Sequence, residues 1–237
     1  MSGRYFSQTR SLTYSYFFSL PLFLLYESLI RISNIGTVQP VRISVDIWFQ
    51  QLFAFAGLDA LTAALGIAFL VGAVILFRQR DRLPSLKPRY FLYLLLESAV
   101  YAIVFSTLIT NFLDLILQMD ISQNSASLSK IQLFALSLGA GLYEELFFRV
   151  ILVSVLFILL IRFFDNKNVA YVYSAIIAAV IFSGVHYVGA FADAWSLNSF
   201  LYRFIFGLTL NLIYVIRGFG CAAWTHALYD VLVVFKM

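Results

Sequence analysis

Between Ala60 and Phe77 the chain runs without one charged residue, and long apolar stretches recur along most of its length. Such runs constrain the fold more than any other feature, because a backbone in hydrocarbon must satisfy its hydrogen bonds internally. A helix crosses with roughly 20 apolar residues, whereas a barrel strand needs about 10 in strict alternation. The runs here are continuous, so the sequence predicts an all-α polytopic bundle of about seven spans with a polar cavity inside the membrane. Composition agrees: 62% of the 237 residues are hydrophobic and 12% charged, against about a quarter charged in a soluble domain. An ordinary cytosolic globule is excluded, and little chain is left for a separate soluble domain.

The interruptions place the spans. A first runs from about Leu12 to Ile32 and carries Pro21 and the i,i+4 pair Glu27 and Arg31, which reads as structural. A second ends at Phe77, a third covers Tyr90 to Leu117, and a Ser/Asn/Gln-rich linker from Asp120 to Ser129 follows as the expected flexible loop. The apolar segment from Ile131 to Phe164 would be about 50 Å long if straight, so it must tilt, kink or protrude. A fifth span is expected to reach Ala190, a sixth to end at Arg217, and a Gly218-Phe-Gly220 turn to lead into a short last segment, Cys221 to Phe235. On that reading His186 and His226 lie at different depths and cannot share one water, so either the fifth helix continues toward Trp195 or the last turn is sunk in the membrane.

The net charge of +4 is read by position. The basic stretch from Arg78 to Arg89 is a topology signal and not a nucleic-acid patch. Counting Lys and Arg at span ends places that loop, the N-terminus, the 162–168 turn and Arg217 in the cytoplasm, with the C-terminus outside. No small-residue cleavage site follows Arg4 and Arg10, so the first span is expected to be retained in a bacterial-type plasma membrane. The lone Cys221 permits no internal disulfide.

Charges at membrane depth are costly, and each is a functional candidate. In Tyr143-Glu-Glu-Leu-Phe-Phe-Arg149, a regular helix puts Glu145 and Arg149 on one face and turns Glu144 about 100° away. One carboxylate then has a partner and the other is suited to general-base work, unless both acids simply share Arg149 as helix glue. Phe182-Ser-Gly-Val-His186 and His226-Ala-Leu-Tyr-Asp230 hold the two histidines, and Asp230 can share a face with His226 and orient its ring. Glu97 and Asp114 have no motif around them and are expected to hydrogen-bond inside the bundle. Gly139, Gly141 and Gly184 are expected to allow close helix approach.

The motifs Glu144-Glu145-x-x-x-Arg149, Phe182-x-x-x-His186 and His226-x-x-x-Asp230, in that order and each in its own apolar helix, resemble the CPBP family of intramembrane proteases, which includes the type II CAAX prenyl endopeptidases. The resemblance covers about Leu128 to Phe235. It divides one integrated membrane domain into generic N-terminal helices, 1–120, and a catalytic helical core, 121–237. It implies that Glu144 with His186 activates a water, that Glu145, Arg149 and Phe182 support the site, and that His226 with Asp230 stabilises the oxyanion. Many members carry Asn where this chain has Asp230, and an ionised Asp cannot donate as Asn does. Orienting His226, or acting as a protonated acid, are the alternative roles.

The resemblance implies an endopeptidase acting on a membrane-anchored protein or peptide in the bilayer: a prenylated CAAX-type protein, a bacteriocin-type precursor or a C-terminal sorting tail. Nucleic acid is not an expected partner. Glu144, His186 and His226 also have the chemistry of a catalytic zinc site. No HExxH spacing supports zinc, and the bracing arginine favours a metal-free glutamate enzyme with no cofactor. Two other classes remain open at this stage: a transporter or proton-relay protein, which broken paired repeats would favour, and a non-catalytic membrane scaffold.

Overall fold

The computed structural model describes residues 2–37, 40–117, 128–189 and 192–236. Their regular secondary structure is helical throughout: α1 (Ser2–Thr9), α2 (Leu12–Ser33), α3 (Ser44–Phe55), α4 (Ala60–Arg78), a 3₁₀ turn (Arg80–Ser85), α5 (Pro88–Leu117), α6 (Lys130–Gly139), α7 (Val153–Leu160), α8 (Lys167–Val185), α9 (Leu197–Arg217) and α10 (Phe219–Lys236). The helix starts follow local chemistry. Ser11, Asp59, Asn166 and Ser196 accept backbone N–H groups at their N-termini, and Ser129 with Gln132 forms a reciprocal capping box on α6.

Five helices are long and apolar enough to cross a membrane: Leu12–Ser33, Ala60–Arg78, Pro88–Leu113, Lys167–Val185 and Leu197–Arg217. This is an integral membrane protein. The apolar part of α10, Phe219–Phe235, is shorter. The predicted second span divides into α3 and α4, separated by a turn at Gly57, whose φ of +72° suits glycine. From Lys130 to Leu160 the chain is helical, but its α register breaks into two π-helical stretches, Ala140–Glu144 and Leu146–Leu152. Most of the predicted linker, and Ala190, lie outside the described residues.

Helix α10 occupies the middle, packed against α2, α5, α6, α9 and the first π stretch, while α8 packs against α7 and α9. Gly141 makes one of these approaches possible: a Cβ there would run into the Ala223 carbonyl and Ala227 of α10. Gly139 likewise lies under the Tyr26 ring. The expectation for Gly184 is not met, because the space beside it is open.

The turn into α10 is a single residue, Gly218, with φ of +88°. It is packed against Ser15 and the Arg10 carbonyl, and Gly220 lies on the Ser15 backbone. Arg217 just before it is buried, with Nε 2.5 Å from Glu97 Oε1 and a second guanidinium nitrogen donating to Oε2 at 2.8 Å. Tyr5 and Tyr101 also donate to Glu97, at 2.6 and 2.7 Å. Glu97 is therefore a bundle-interior acceptor, as expected, whereas the side chain of Asp114 lies outside the described residues. Arg217 is not the surface topology charge read from the sequence. It is one half of a buried pair.

Candidate active site

Glu145 is the single residue between the two π stretches. Such i→i+5 segments insert an extra residue into the helical register, so the faces beyond them depart from those of a regular α-helix. The two neighbouring acids, expected on different faces, both converge on His226. Glu145 is fully buried, and its Oε1 lies 2.7 Å from His226 Nδ1 and 2.9 Å from Arg149 NH1. Because a carboxylate only accepts, Nδ1 carries the hydrogen of that bond. The ring of His226 is thus oriented by Glu145, the task the sequence suggested for Asp230.

On the other side of the ring, Nε2 faces Asp230 Oδ2 at 3.6 Å and Glu144 Oε2 at 4.0 Å. Both distances exceed a direct hydrogen bond but fit a group bridging between them. Glu144 and Asp230 are partly exposed, so this side opens outward while the Glu145 side is sealed.

Arg149 is buried beside Glu145. It donates from NH2 to the Gly207 carbonyl at 3.3 Å, and its guanidinium lies over the Phe182 ring at 4.5 Å from the centroid. The NH1 contact with Glu145 is an ion pair whose line departs from good hydrogen-bond geometry, since NH1 makes no hydrogen bond. Phe182 joins the site's parts: its ring meets His186 at 5.2 Å and His226 at 5.9 Å between centroids, both edge to face. Phe206 of α9 closes the other side, 5.7 Å from the His226 ring.

Helix α8 does not reach Ala190 as expected. It ends at Val185, and His186 is its C-terminal cap. The imidazole turns back so that Nδ1 donates to the Phe182 carbonyl at 2.9 Å, leaving Nε2 without that hydrogen in the neutral ring. The two histidines nonetheless come together, both meeting the Phe182 ring, while the Gly218 turn that starts α10 is packed against Ser15 and the Arg10 carbonyl. Among the described residues Glu144 makes no hydrogen bond or ion pair with His186; its ionic neighbour is His226.

Sequence reasoning missed a second polar layer under the glutamates. Tyr143 donates to Glu27 Oε1 at 3.0 Å. Glu27 is also 3.5 Å from both Arg31 and Arg42, and Arg42 pairs with Asp46 at 2.6 Å. Tyr26 closes the layer by donating to Asp46 at 2.6 Å. Burial is the dominant influence on Arg42, yet the adjacent carboxylate of Asp46 outweighs it and holds the guanidinium's pKa above its ordinary value. The i,i+4 spacing of Glu27 and Arg31 revealed part of this layer; nothing in the sequence linked it to Tyr143.

Among the described residues no three His, Cys, Asp or Glu side chains are gathered as a metal cluster. Of the set considered for zinc, His186 and His226 both meet the Phe182 ring and have Nδ1 committed to protein, while Glu144 lies 4.0 Å from His226 Nε2. Cys221 is buried beside Ser98, away from this group.

The arrangement offers a carboxylate, a second acid and an imidazole nitrogen around one open space, with an ion pair sealed behind them. No curated protein and no solved structure matches the chain. A family model does match, over residues 126–232: Rce1-like, type II CAAX prenyl endopeptidase. That span takes in all three motifs and every residue around His226 named above except those of α1 to α5. Residues 126–232 of this membrane protein, somewhat less than half of the chain, are thus similar to the CAAX-type intramembrane endopeptidases.

Proposed function

We propose that the protein hydrolyses a peptide bond of a membrane-anchored, CAAX-type substrate by a water held in the space between Glu144, Asp230 and His226 Nε2. The observation that carries this reading is the pair of gaps at Nε2, 3.6 Å to Asp230 and 4.0 Å to Glu144, which suit one bridging oxygen. Glu144 takes a proton from that water as its oxygen attacks the substrate carbonyl carbon. The carbonyl double bond opens to an oxyanion, which an imidazole receives in its cationic form, when Nε2 carries a hydrogen as well as Nδ1. Collapse expels the amine, and Glu144 returns its proton to the leaving nitrogen.

Glu145 and Arg149 act behind the ring: Glu145 fixes the His226 tautomer, and Arg149 ties the glutamate helix to Gly207 of α9. His186, placed at a helix end beside an open glycine, meets the substrate carbonyl as a donor once its Nε2 is protonated, and as the neutral ring accepts from a water or a substrate N–H. Asp230 faces the same space as Glu144 and holds the water when protonated or His226 when ionised.

The test uses the purified protein and a farnesylated, internally quenched CAAX peptide. Glu144→Gln should lower kcat by about 10²–10⁴-fold, the usual worth of a general base, while peptide binding persists. A zinc chelator should leave the wild-type rate unchanged. Loss of activity on chelation with recovery on added zinc would reassign Glu144, His186 and His226 to a metal. Full activity in Glu144→Gln would end the general-base assignment.

A further inference from the structure

Arg203 belongs to no motif and plays no part in the hydrolysis above, yet it stands at the mouth of the site. On α9 it precedes Phe206 by three residues and Gly207 by four, so the three share a helix face. Phe206 touches the His226 ring and the Gly207 carbonyl receives Arg149. Arg203 is thus one turn along the same face, about 5 Å toward the α8–α9 loop. Its charge acts through space on Glu144, His186 and Asp230.

The guanidinium is presented by four groups. NH1 donates to Tyr187 at 3.0 Å and to Ser199 at 2.6 Å, NH2 donates to Asp193, and the Tyr187 ring lies 5.5 Å from the guanidinium carbon. Asp193 in turn donates its backbone N–H to the His186 carbonyl at 2.9 Å, which sets Asp193 beside the end of α8. Asp193 is half exposed and Arg203 is partly exposed. An ion pair so placed contributes little, so another carboxylate can displace Asp193 readily. Arg is the residue whose planar fork matches a carboxylate by two parallel hydrogen bonds.

We propose that Arg203 is a carboxylate-binding subsite that receives the α-carboxylate at the substrate's C-terminus, with Asp193 as the internal anion it displaces. The inference rests on the protease reading above and adds a requirement to it. The rise of about 5 Å from the Gly207 level to Arg203 is crossed by about two residues of an extended peptide at ~3.3 Å each, with the side chain's own reach added. The bond cut therefore lies a few residues from a free C-terminus, and a peptide bond deep within a chain is not positioned.

The experiment compares three farnesylated, internally quenched CAAX peptides that differ only at the C-terminus: the free acid, the amide, and an amide whose last residue is Glu. Wild type, Arg203→Gln, Arg203→Lys and Asp193→Asn are each assayed for KM and kcat, and for binding of the same peptides in the Glu144→Gln background. Wild type should take the free acid with a KM about tenfold below that of the amide. Arg203→Gln should remove this preference, Arg203→Lys should keep part of it, and Asp193→Asn should enlarge it.

Equal KM values for acid and amide in wild type would overturn the proposal, as would a preference that survives in Arg203→Gln. Restoration of tight binding by the Glu-terminated amide would overturn the assignment to the α-carboxylate. Should wild type cleave no peptide, the binding arm still decides. An Arg203-dependent preference for the acid without cleavage keeps the subsite and removes the peptidase reading; no preference removes the subsite.

Discussion

The phenol of Tyr143 donates to the carboxylate of Glu27 at 3.0 Å, so the residue before Glu144 is tied to α2. The N-terminal helices lie outside the family match at 126–232, yet through this bond they hold the helix that carries the glutamates. Tyr143→Phe removes the bond and little volume. Thermal unfolding should show a loss of about 1–3 kcal/mol, the range for a hydrogen bond to a charged group, and kcat should fall several-fold with KM unchanged. An unaltered kcat would show that Glu144 does not depend on this tether.

The buried pair of Arg217 and Glu97 should behave differently when one partner or both are removed. Arg217→Ala leaves a carboxylate in the bundle and should cost about 3–5 kcal/mol. Replacing both residues with apolar ones of similar volume should cost less than either single change. Denaturant unfolding in detergent of the two single variants and the double variant checks this, and additive losses would count against it.

Gly141 and Gly184 make a matched pair. At Gly141 a methyl group meets the Ala223 backbone, which cannot move without shifting α10, so Gly141→Ala should destabilise by about 1–3 kcal/mol and lower activity by displacing His226. At Gly184 nothing stands in the way, and Gly184→Ala should change stability by less than about 0.5 kcal/mol. Melting temperatures and peptide cleavage for both variants test the contrast.

Glu145 and Arg149 should show that the brace is electrostatic. Glu145→Gln keeps an acceptor for His226 Nδ1 but removes the charge opposite Arg149, whereas Glu145→Ala removes both. Activity should fall by about 10–100-fold in the first, the scale seen for groups supporting a reactive centre, and stability should fall further in the second. A second change, Arg149→Met, should recover part of the stability lost in Glu145→Ala but none of the activity.

The membrane architecture and the ionisable groups that gather around His226 could be read from the sequence because they depend on local signals: uninterrupted apolar runs, and charged groups inside them. The angular relation of Glu144 to Glu145 could not, because it depends on π-helical bonds that no residue type announces; a regular helix separates two side chains that here meet one imidazole. For the level of α10 the sequence leaves two alternatives, a longer fifth helix or a sunken last turn, and the end of α8 at Val185 removes the first. Arg217 looks like a surface charge until Glu97, Tyr5 and Thr9 are brought to it from distant parts of the chain. Arg203 and Tyr143 were missed for the same reason, since their partners come from other elements.

Helix α10 follows every other part of the site in the chain, and it sits in the middle of the bundle. During synthesis the segment bearing Glu145 and Arg149 therefore enters the bilayer before the imidazole that completes its polar contacts, and until then Glu145 has only Arg149, which also has the Gly207 carbonyl of α9. The seat for α10, lined by α2, α5, α6 and α9, is filled last. The group around His226 is accordingly completed at the end of biogenesis, in one step with closure of the bundle, and a nascent chain halted before α10 holds Glu144 and Glu145 without the imidazole on which they converge.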